Sequence, residues 1–301
     1  MFNPQAKLLC HSGRVWRWYR TGRTAPVLVE IAPTGYCNAT CPWCFFNGKK
    51  SKTRINRKTM LSAIEDMATM GVKALNWSGG GEPTLHPDFA EFVARAQGLG
   101  LKQGLFTNGY TKIPNQRSFS WIRISLTEKG FKKIKIPDVP FGICVNQIKD
   151  HTMKQLIGYY LTASKIGASY FQIRPALMGS YKKQPYLCIP TYLKDYETKT
   201  CKIFLTEYKY DEAMRDKKYK DCYGYHFCPS ISWTGKLSIC LYLSLNKQYI
   251  LGDLGKESFQ SIWWRIPEKI KVTDECQNCC KNNEINKMLY AVKHIKDPDF
   301  I

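Results

Sequence analysis

From residue 27 to about residue 176, short apolar runs alternate with stretches whose apolar positions recur every three or four residues. The first run, 27–31, reads as a strand. Met60, Ala63, Ile64 and Met67 then share one helical face, and Gly71 follows as a C-terminal cap. Residues 73–78 read as the next strand, and Phe89, Phe92, Val93 and Ala96 mark a second helix closed by Gly98 and Gly100. Further strands are expected at 103–107, 121–126, 141–145 and 170–174. A helix with Met153, Leu156, Ile157, Tyr160 and Leu161 on one stripe precedes the last of them. Six strands joined by crossovers imply a parallel sheet, and right-handed crossovers curl it into a partial (β/α)6 TIM-like barrel of the α/β class. One crossover is thin: 127–140 contains Pro137 and Pro140 and no apolar stripe, which predicts no helix and a bare flank.

The pattern also divides the chain. Residues 1–26 form a basic, aromatic extension, 27–179 the barrel, 180–221 an irregular Tyr- and Lys-rich linker, and 222–301 a cysteine-dense tail. In the tail, 230–233 and 236–241 around Thr234 and Gly235 read as a β-hairpin, and 258–264 as a short helix.

Composition narrows the classes. No apolar run reaches the roughly 18 residues of a membrane span, and the first residues carry no signal-peptide block, so a cytoplasmic protein without membrane partners is expected. Lysine and arginine number 45 against 24 aspartates and glutamates, a net charge of +21. Such a field favours polyanions, nucleic acid above all. Aromatic and basic residues interleave at Arg14, Trp16, Arg17, Trp18, Tyr19 and Arg20, as a stacking surface requires. Basic runs at 49–54 and 132–135 add to the field; an ordinary solvated surface is the alternative reading of all three. Thirteen cysteines, odd in number and grouped at short spacing, suit metal or cluster ligation better than disulfides.

The sharpest group is Cys37, Cys41 and Cys44, a C-x3-C-x2-C loop directly after the first strand with Trp43 before its last cysteine. Three thiolates hold one corner of a [4Fe–4S] cluster and leave the fourth iron open, since such a cluster takes four ligands. A zinc knuckle uses the same residue types. Gly79, Gly80, Gly81 and Glu82 follow the second strand, where loops at strand C-termini build the sites of parallel barrels.

These two motifs, in this order, resemble the signatures of the radical S-adenosylmethionine (AdoMet) enzymes. The resemblance implies that Cys37, Cys41 and Cys44 hold the AdoMet-binding [4Fe–4S] cluster and that Gly79–Gly81 with Glu82 receive the methionyl amine. It implies contacts from Asn108 and Ser125 to methionyl and ribose groups, with Asn146 and Arg174 at later strand ends and Trp43 near the adenine. Thr127 and Glu128 stand where the family often has an acid after the strand-four serine. The tail resembles the auxiliary-cluster domain of the SPASM/Twitch members in its one-cluster form. That likeness implies a second iron–sulfur cluster on Cys222, Cys240, Cys276 and Cys279, with Cys228 and Cys280 as substitutes and structural zinc as the alternative. A cysteine not used as ligand has another use as hydrogen-atom donor to a substrate radical, and Cys228 is the candidate.

The activity implied by the resemblance is reductive cleavage of AdoMet to methionine and a 5′-deoxyadenosyl radical, which takes hydrogen from a substrate. An electron donor such as flavodoxin or ferredoxin is the expected partner. The charge points to a nucleotide or nucleic-acid substrate. A peptide maturase or epimerase, a carbohydrate dehydrogenase, and a non-catalytic metal-bearing nucleic-acid module are the alternatives.

Overall fold

The computed structural model describes residues 4–46, 51–176, 187–214, 217, 219–273, 276 and 282–296. Cys279, Cys280, part of the 49–54 basic run and the boundary near residue 180 lie outside them.

Seven parallel strands follow one another in the sheet: β1 (Leu28–Ile31), β2 (Ala74–Trp77), β3 (Lys102–Thr107), β4 (Trp121–Ser125), β5 (Phe141–Gln147), β6 (Tyr170–Pro175) and β7 (Lys202–Leu205). Alternation sorts their side chains. Val29, Ile31, Leu75, Trp77, Ile122 and Ile124 enter the core under the helices, while Glu30, Asn76, Arg123 and their register partners face the barrel interior. β7 and the helix Glu207–Met214 fall in the stretch expected to be irregular. The strand is the run Lys202-Ile203-Phe204-Leu205, of which Ile203 is buried, set in Lys-, Thr- and Tyr-rich sequence.

Two helices precede the sheet, α1 (Pro4–Leu9) and α2 (Ser12–Thr21). Helices α3 (Arg57–Thr69), α4 (Phe89–Gly98), α5 (Met153–Lys165) and α6 (Glu207–Met214) then accompany the strands. α3 begins where Asn56 Oδ1 accepts the backbone N–H groups of Lys58 and Thr59, at 2.9 and 3.3 Å. It buries the four residues of its expected face and ends at Gly71, whose φ of +76° suits glycine. α4 likewise buries its expected face, with Phe89 edge-on to Trp77 at 5.4 Å. α5 carries a capping box between Thr152 and Gln155, but its buried stripe is Leu156, Tyr160 and Ala163. Met153 and Leu161 of the expected stripe stand 58 and 52% exposed. Between β4 and β5 there is no helix, in keeping with the two prolines. The flank is nevertheless covered, because Phe131, Ile134 and Val139 pack against the main core from an irregular segment.

The tail contributes β8 (Asp221–Cys222), β9 (Ser230–Ile231), β10 (Lys236–Ser238), β11 (Ile250–Asp253), helix α7 (Phe259–Trp263), β12 (Ile270–Lys271) and helix α8 (Asn283–His294). The expected hairpin is β9–β10, turned at Gly235, and it does not stand apart. β9 pairs parallel with β1, so β10 and β11 extend the barrel sheet to ten strands. The amino-terminal extension is bound into the same assembly. Trp18 is fully buried, edge-on to Tyr223 at 5.2 Å and Phe227 at 6.0 Å, in a cluster with Leu8 and Leu289. Arg14 donates to the carbonyls of Ala25, Pro26 and Gly71.

Candidate active site

The loop after β1 is closed at its base before it carries any cysteine. Gly35 N donates to Thr53 O at 2.9 Å, Ser51 N to Gly35 O at 3.2 Å, and Ile55 N to Pro33 O at 3.0 Å. From this stem project Cys37, Cys41 and Cys44, all half-buried, with Cys44 N donating to Cys41 O at 3.1 Å. Phe45 and Phe46 turn inward beside them and pack on Tyr242 of the tail, at ring separations of 4.6 and 6.2 Å.

The glycine run is fastened to this loop by its backbone. Gly81 N donates to Thr34 O at 2.9 Å and Glu82 N to Tyr36 O at 2.8 Å. A Cβ on Gly81 would lie 2.0 Å from Tyr36 O, one on Gly79 would lie 1.7 Å from Gly81 O, and one on Gly80 would enter the Trp233 ring at 1.8 Å. All three glycines are thus required by close approach. Glu82 is buried and its carboxylate is fully used. It accepts from Thr84 N at 3.2 Å, from the Thr84 and Thr107 hydroxyls at 2.7 Å each, and from Asn108 N at 2.7 Å. Burial pushes its pKa above the ordinary carboxylate value, against those four donors.

Asn108 joins the two motifs. Its Nδ2 donates to Asn38 Oδ1 at 2.7 Å and lies 4.0 Å from Cys37 Sγ, while its Oδ1 accepts from Tyr110 N at 2.9 Å. Glu128 caps the cysteine loop, accepting from Thr40 N and Thr40 Oγ1 at 2.9 Å each. Burial would raise this carboxyl, but hydrogen bonds from Cys41 and Thr40 hold it down at about 2. Burial, then the bond to Glu128, pushes the Cys41 thiol up to about 12. A bound iron would reverse this, since a coordinating thiol is deprotonated.

Further round the barrel, Ser125 ends β4 in register with Cys144 of β5. Asn146 and Arg174 are register partners on β5 and β6, with Arg174 Nε donating to Asn146 Oδ1 at 2.8 Å. Trp43 stands edge-on to His151 at 6.1 Å in the loop before α5. The cysteine triad, the glycine run and Asn108 therefore meet at one edge, with Ser125, Asn146 and Arg174 at strand ends of the same barrel. Sequence reading missed Trp233, Asn38 and the capping role of Glu128. Only Trp233 left a signal, as a lone aromatic beside a turn.

Cys228, the expected hydrogen donor, does not lie at that edge. Its neighbour Phe227 accepts through its carbonyl from Val27 N and Leu28 N, so Cys228 sits beside the beginning of β1. The cysteine loop leaves the other end of that strand, roughly 10 Å or more away at about 3.3 Å per residue. Parallel pairing of β9 with β1 dictates this, because Cys228 precedes β9.

In the tail, Cys222 is buried on β8, and Cys240 and Cys276 are half-buried against the same core. Among the described residues, no three His, Cys, Asp or Glu side chains gather tightly enough to share one metal ion. An iron–sulfur cube gives each thiolate its own iron, so its ligands stand farther apart. Three thiols on one loop fit a cluster at the triad by donor type. No helix among the described residues is long and apolar enough to cross a membrane.

Residues 31–138 match the sequence model of the Radical SAM superfamily. Over 101 residues the chain is 32% identical to S-adenosylmethionine-dependent nucleotide dehydratase of Flammeovirga pacifica, covering 30% of this chain and 34% of that protein. Over 98 residues it is 33% identical to PqqA peptide cyclase of Methylorubrum extorquens, covering 30% of this chain and 25% of that protein. The chain thus spans about a third or less of the length of these curated relatives. Streptococcus suis SuiB, solved with S-adenosylmethionine bound, shares the fold with a TM-score of 0.63 over 88% of this chain and 72% of that one, at 15% identity.

Proposed function

We propose that this chain, whose residues 31–138 match the Radical SAM superfamily, is a radical SAM enzyme that cleaves AdoMet reductively and uses the product radical to take hydrogen from an anionic, nucleotide-type substrate. One observation carries the first half: three half-buried thiols stand on a loop that is bonded, backbone to backbone, to the Gly79–Glu82 run, with Asn108 reaching both. The superfamily implies a [4Fe–4S] cluster and AdoMet. When bound, they supply one-electron cleavage of the sulfonium to methionine and a 5′-deoxyadenosyl radical, the electron coming from a flavodoxin- or ferredoxin-type donor.

In this reading the protein's part is to hold and orient. Cys37, Cys41 and Cys44 ligate three irons. The glycine run offers its carbonyls to the methionyl amine, and Glu82 acts through Thr107 and Asn108 by fixing the β3 end. Ser125, Asn146, Arg174 and Trp43 complete the cofactor's surroundings. A second cluster belongs to Cys222, Cys240 and Cys276 with Cys279. Extending the β9–β10 register by two residues sets Cys228 opposite Cys240, which favours Cys228 as a further ligand there.

Support for the substrate class comes from the +21 charge and from α2. Folding consumes Arg14 and Trp18, but Trp16 stays 60% exposed, with Tyr19 stacked beside it and Arg20 5.6 Å over its ring. Arg17 lies 5.7 Å over Trp264. Exposed aromatics interleaved with arginines stack bases, and one matched relative acts on a nucleotide by its name. A peptide substrate is the second reading, favoured by the match to a peptide cyclase.

The test is anaerobic reconstitution followed by reduction with AdoMet present. The protein should yield 5′-deoxyadenosine, and Cys41→Ala should abolish it; no product from the intact protein sinks the proposal. For the substrate class, a labelled single-stranded oligonucleotide should bind with an affinity that falls steeply with salt, and Trp16→Ala should weaken it severalfold. No binding at low salt favours the peptide.

A further inference from the structure

The amino-terminal turn of α8 buries three asparagines, Asn282, Asn283 and Asn286, where an amphipathic helix would ordinarily bury apolar residues. Each is tied to the segment that carries Cys222 and Cys228. Asn283 Oδ1 accepts from the Tyr219 hydroxyl at 2.8 Å, and Asn282 Nδ2 donates to Cys228 O at 3.4 Å. Asn286 is fully buried. Its Oδ1 accepts from Tyr223 N and from Gly224 N at 2.7 Å each, and its Nδ2 donates to Cys222 Sγ at 3.4 Å.

The two backbone donors settle which way this amide points. Only an oxygen can accept from both N–H groups, so the amide nitrogen faces the sulfur. Gly224 makes the approach possible: a Cβ there would lie 2.6 Å from Asn282 Cβ and 3.2 Å from Asn286 Oδ1. The geometry is therefore built, with a glycine below, two peptide donors on one side and a thiol on the other.

We propose that Asn286 is a positioning residue of the second metal centre, fixing the Cys222 turn and donating an N–H···S hydrogen bond to the Cys222 sulfur so as to raise the reduction potential of the cluster. This rests on the proposed role of Cys222 as a ligand of that centre. An N–H bond to a ligating thiolate withdraws negative charge from the cluster and stabilises its reduced form.

The experiment uses the full chain with Cys37, Cys41 and Cys44 all changed to alanine, so that only the second cluster reports. Asn286→Asp keeps the acceptors for Tyr223 N and Gly224 N but turns a carboxylate oxygen on the sulfur. Its midpoint potential, followed by electron paramagnetic resonance, should shift to more negative values with the iron content kept. Loss of the second cluster from a variant that retains the wild-type far-ultraviolet dichroism is the stronger form of the same repulsion and also supports the proposal. An unchanged potential overturns it, and so does general unfolding, which would make Asn286 a structural strap only. Cys222→Ala in the same background separates the two claims. It should lose the cluster, and if the iron stays, the ligand reading fails and the proposal with it.

Discussion

Gly80 shows how closely single atoms are balanced at the candidate active site. Its missing Cβ is the space occupied by the Trp233 ring, which belongs to the β9–β10 turn. Gly80→Ala should therefore destabilise the fold by about 1–3 kcal/mol through overpacking, measured by urea unfolding. It should also lower the 5′-deoxyadenosine yield by displacing the glycine run. Trp233→Leu in the same chain should recover part of the loss, since contacting residues couple; strict additivity would disprove the contact. His86 gives a second residue-scale expectation. Its Nδ1 accepts from Asp88 N at 3.1 Å, so its Nε2 carries the proton and donates to Ile55 O at 3.0 Å. The ring is held neutral, and burial lowers its affinity for a second proton below the ordinary value of 6.5, with the Asp88 carboxylate at 3.9 Å opposing. The unfolded chain takes the proton first, so the stability contributed by neutral His86 is present above about pH 6.5 and lost as pH falls below it. The urea midpoint should drop between pH 7.5 and 5.5 by less in His86→Gln than in the parent, and equal drops would refute the assignment.

Elements are legible in the sequence where periodicity is long and capped. α3 and α4 bury the residues expected of them because Asn56, Gly71 and Gly100 punctuate runs of ten or more residues. The hairpin is readable from Thr234-Gly235 and the cysteine triad from its spacing alone. α5 reads one step out of phase, because Met153 and Leu161 are apolar yet lie on the solvent side, and Ala163 is too small to announce the true stripe. β7 offers only the run Ile203-Phe204-Leu205 within Lys-, Thr- and Tyr-rich sequence, and the coverage of the β4–β5 flank depends on three apolar residues with no period. The placement of Cys228 is illegible for a different reason: it depends on pairing between residues about 200 apart, β9 on β1. The amino-terminal helices carry their own element-scale test. Trp18 fills the junction between α2, α8 and the Tyr223–Phe227 segment, so Trp18→Ala should cost about 3–5 kcal/mol. Limited proteolysis should then cut first near the α8 junction. Cleavage unchanged from the parent would mean the junction is dispensable.

At the scale of the whole molecule, a single hydrogen-bonded sheet runs from β7 through the barrel strands to β11. The cysteine triad follows β1 of this sheet and Cys240 follows β10, whereas Cys222 lies on β8, which pairs with β12 in a separate two-stranded sheet. The glycine run touches Trp233 of the tail, Phe45 and Phe46 touch Tyr242, and Trp18 of the extension touches Tyr223. Charge acts at this scale too, since a +21 field reaches beyond any one patch and would govern the rate of polyanion capture more than its final geometry. The parallel pairing of β9 with β1 has a consequence for the integrity of the chain. β1 is the first strand of the barrel, and without β9 its outward row of peptide groups would be unmatched and open to the strands of other molecules. The tail therefore serves as the barrel's guard against self-association. A polypeptide ended before Ser230 would keep every residue of the cysteine triad and the glycine run, and would be driven toward aggregation by the edge it exposes.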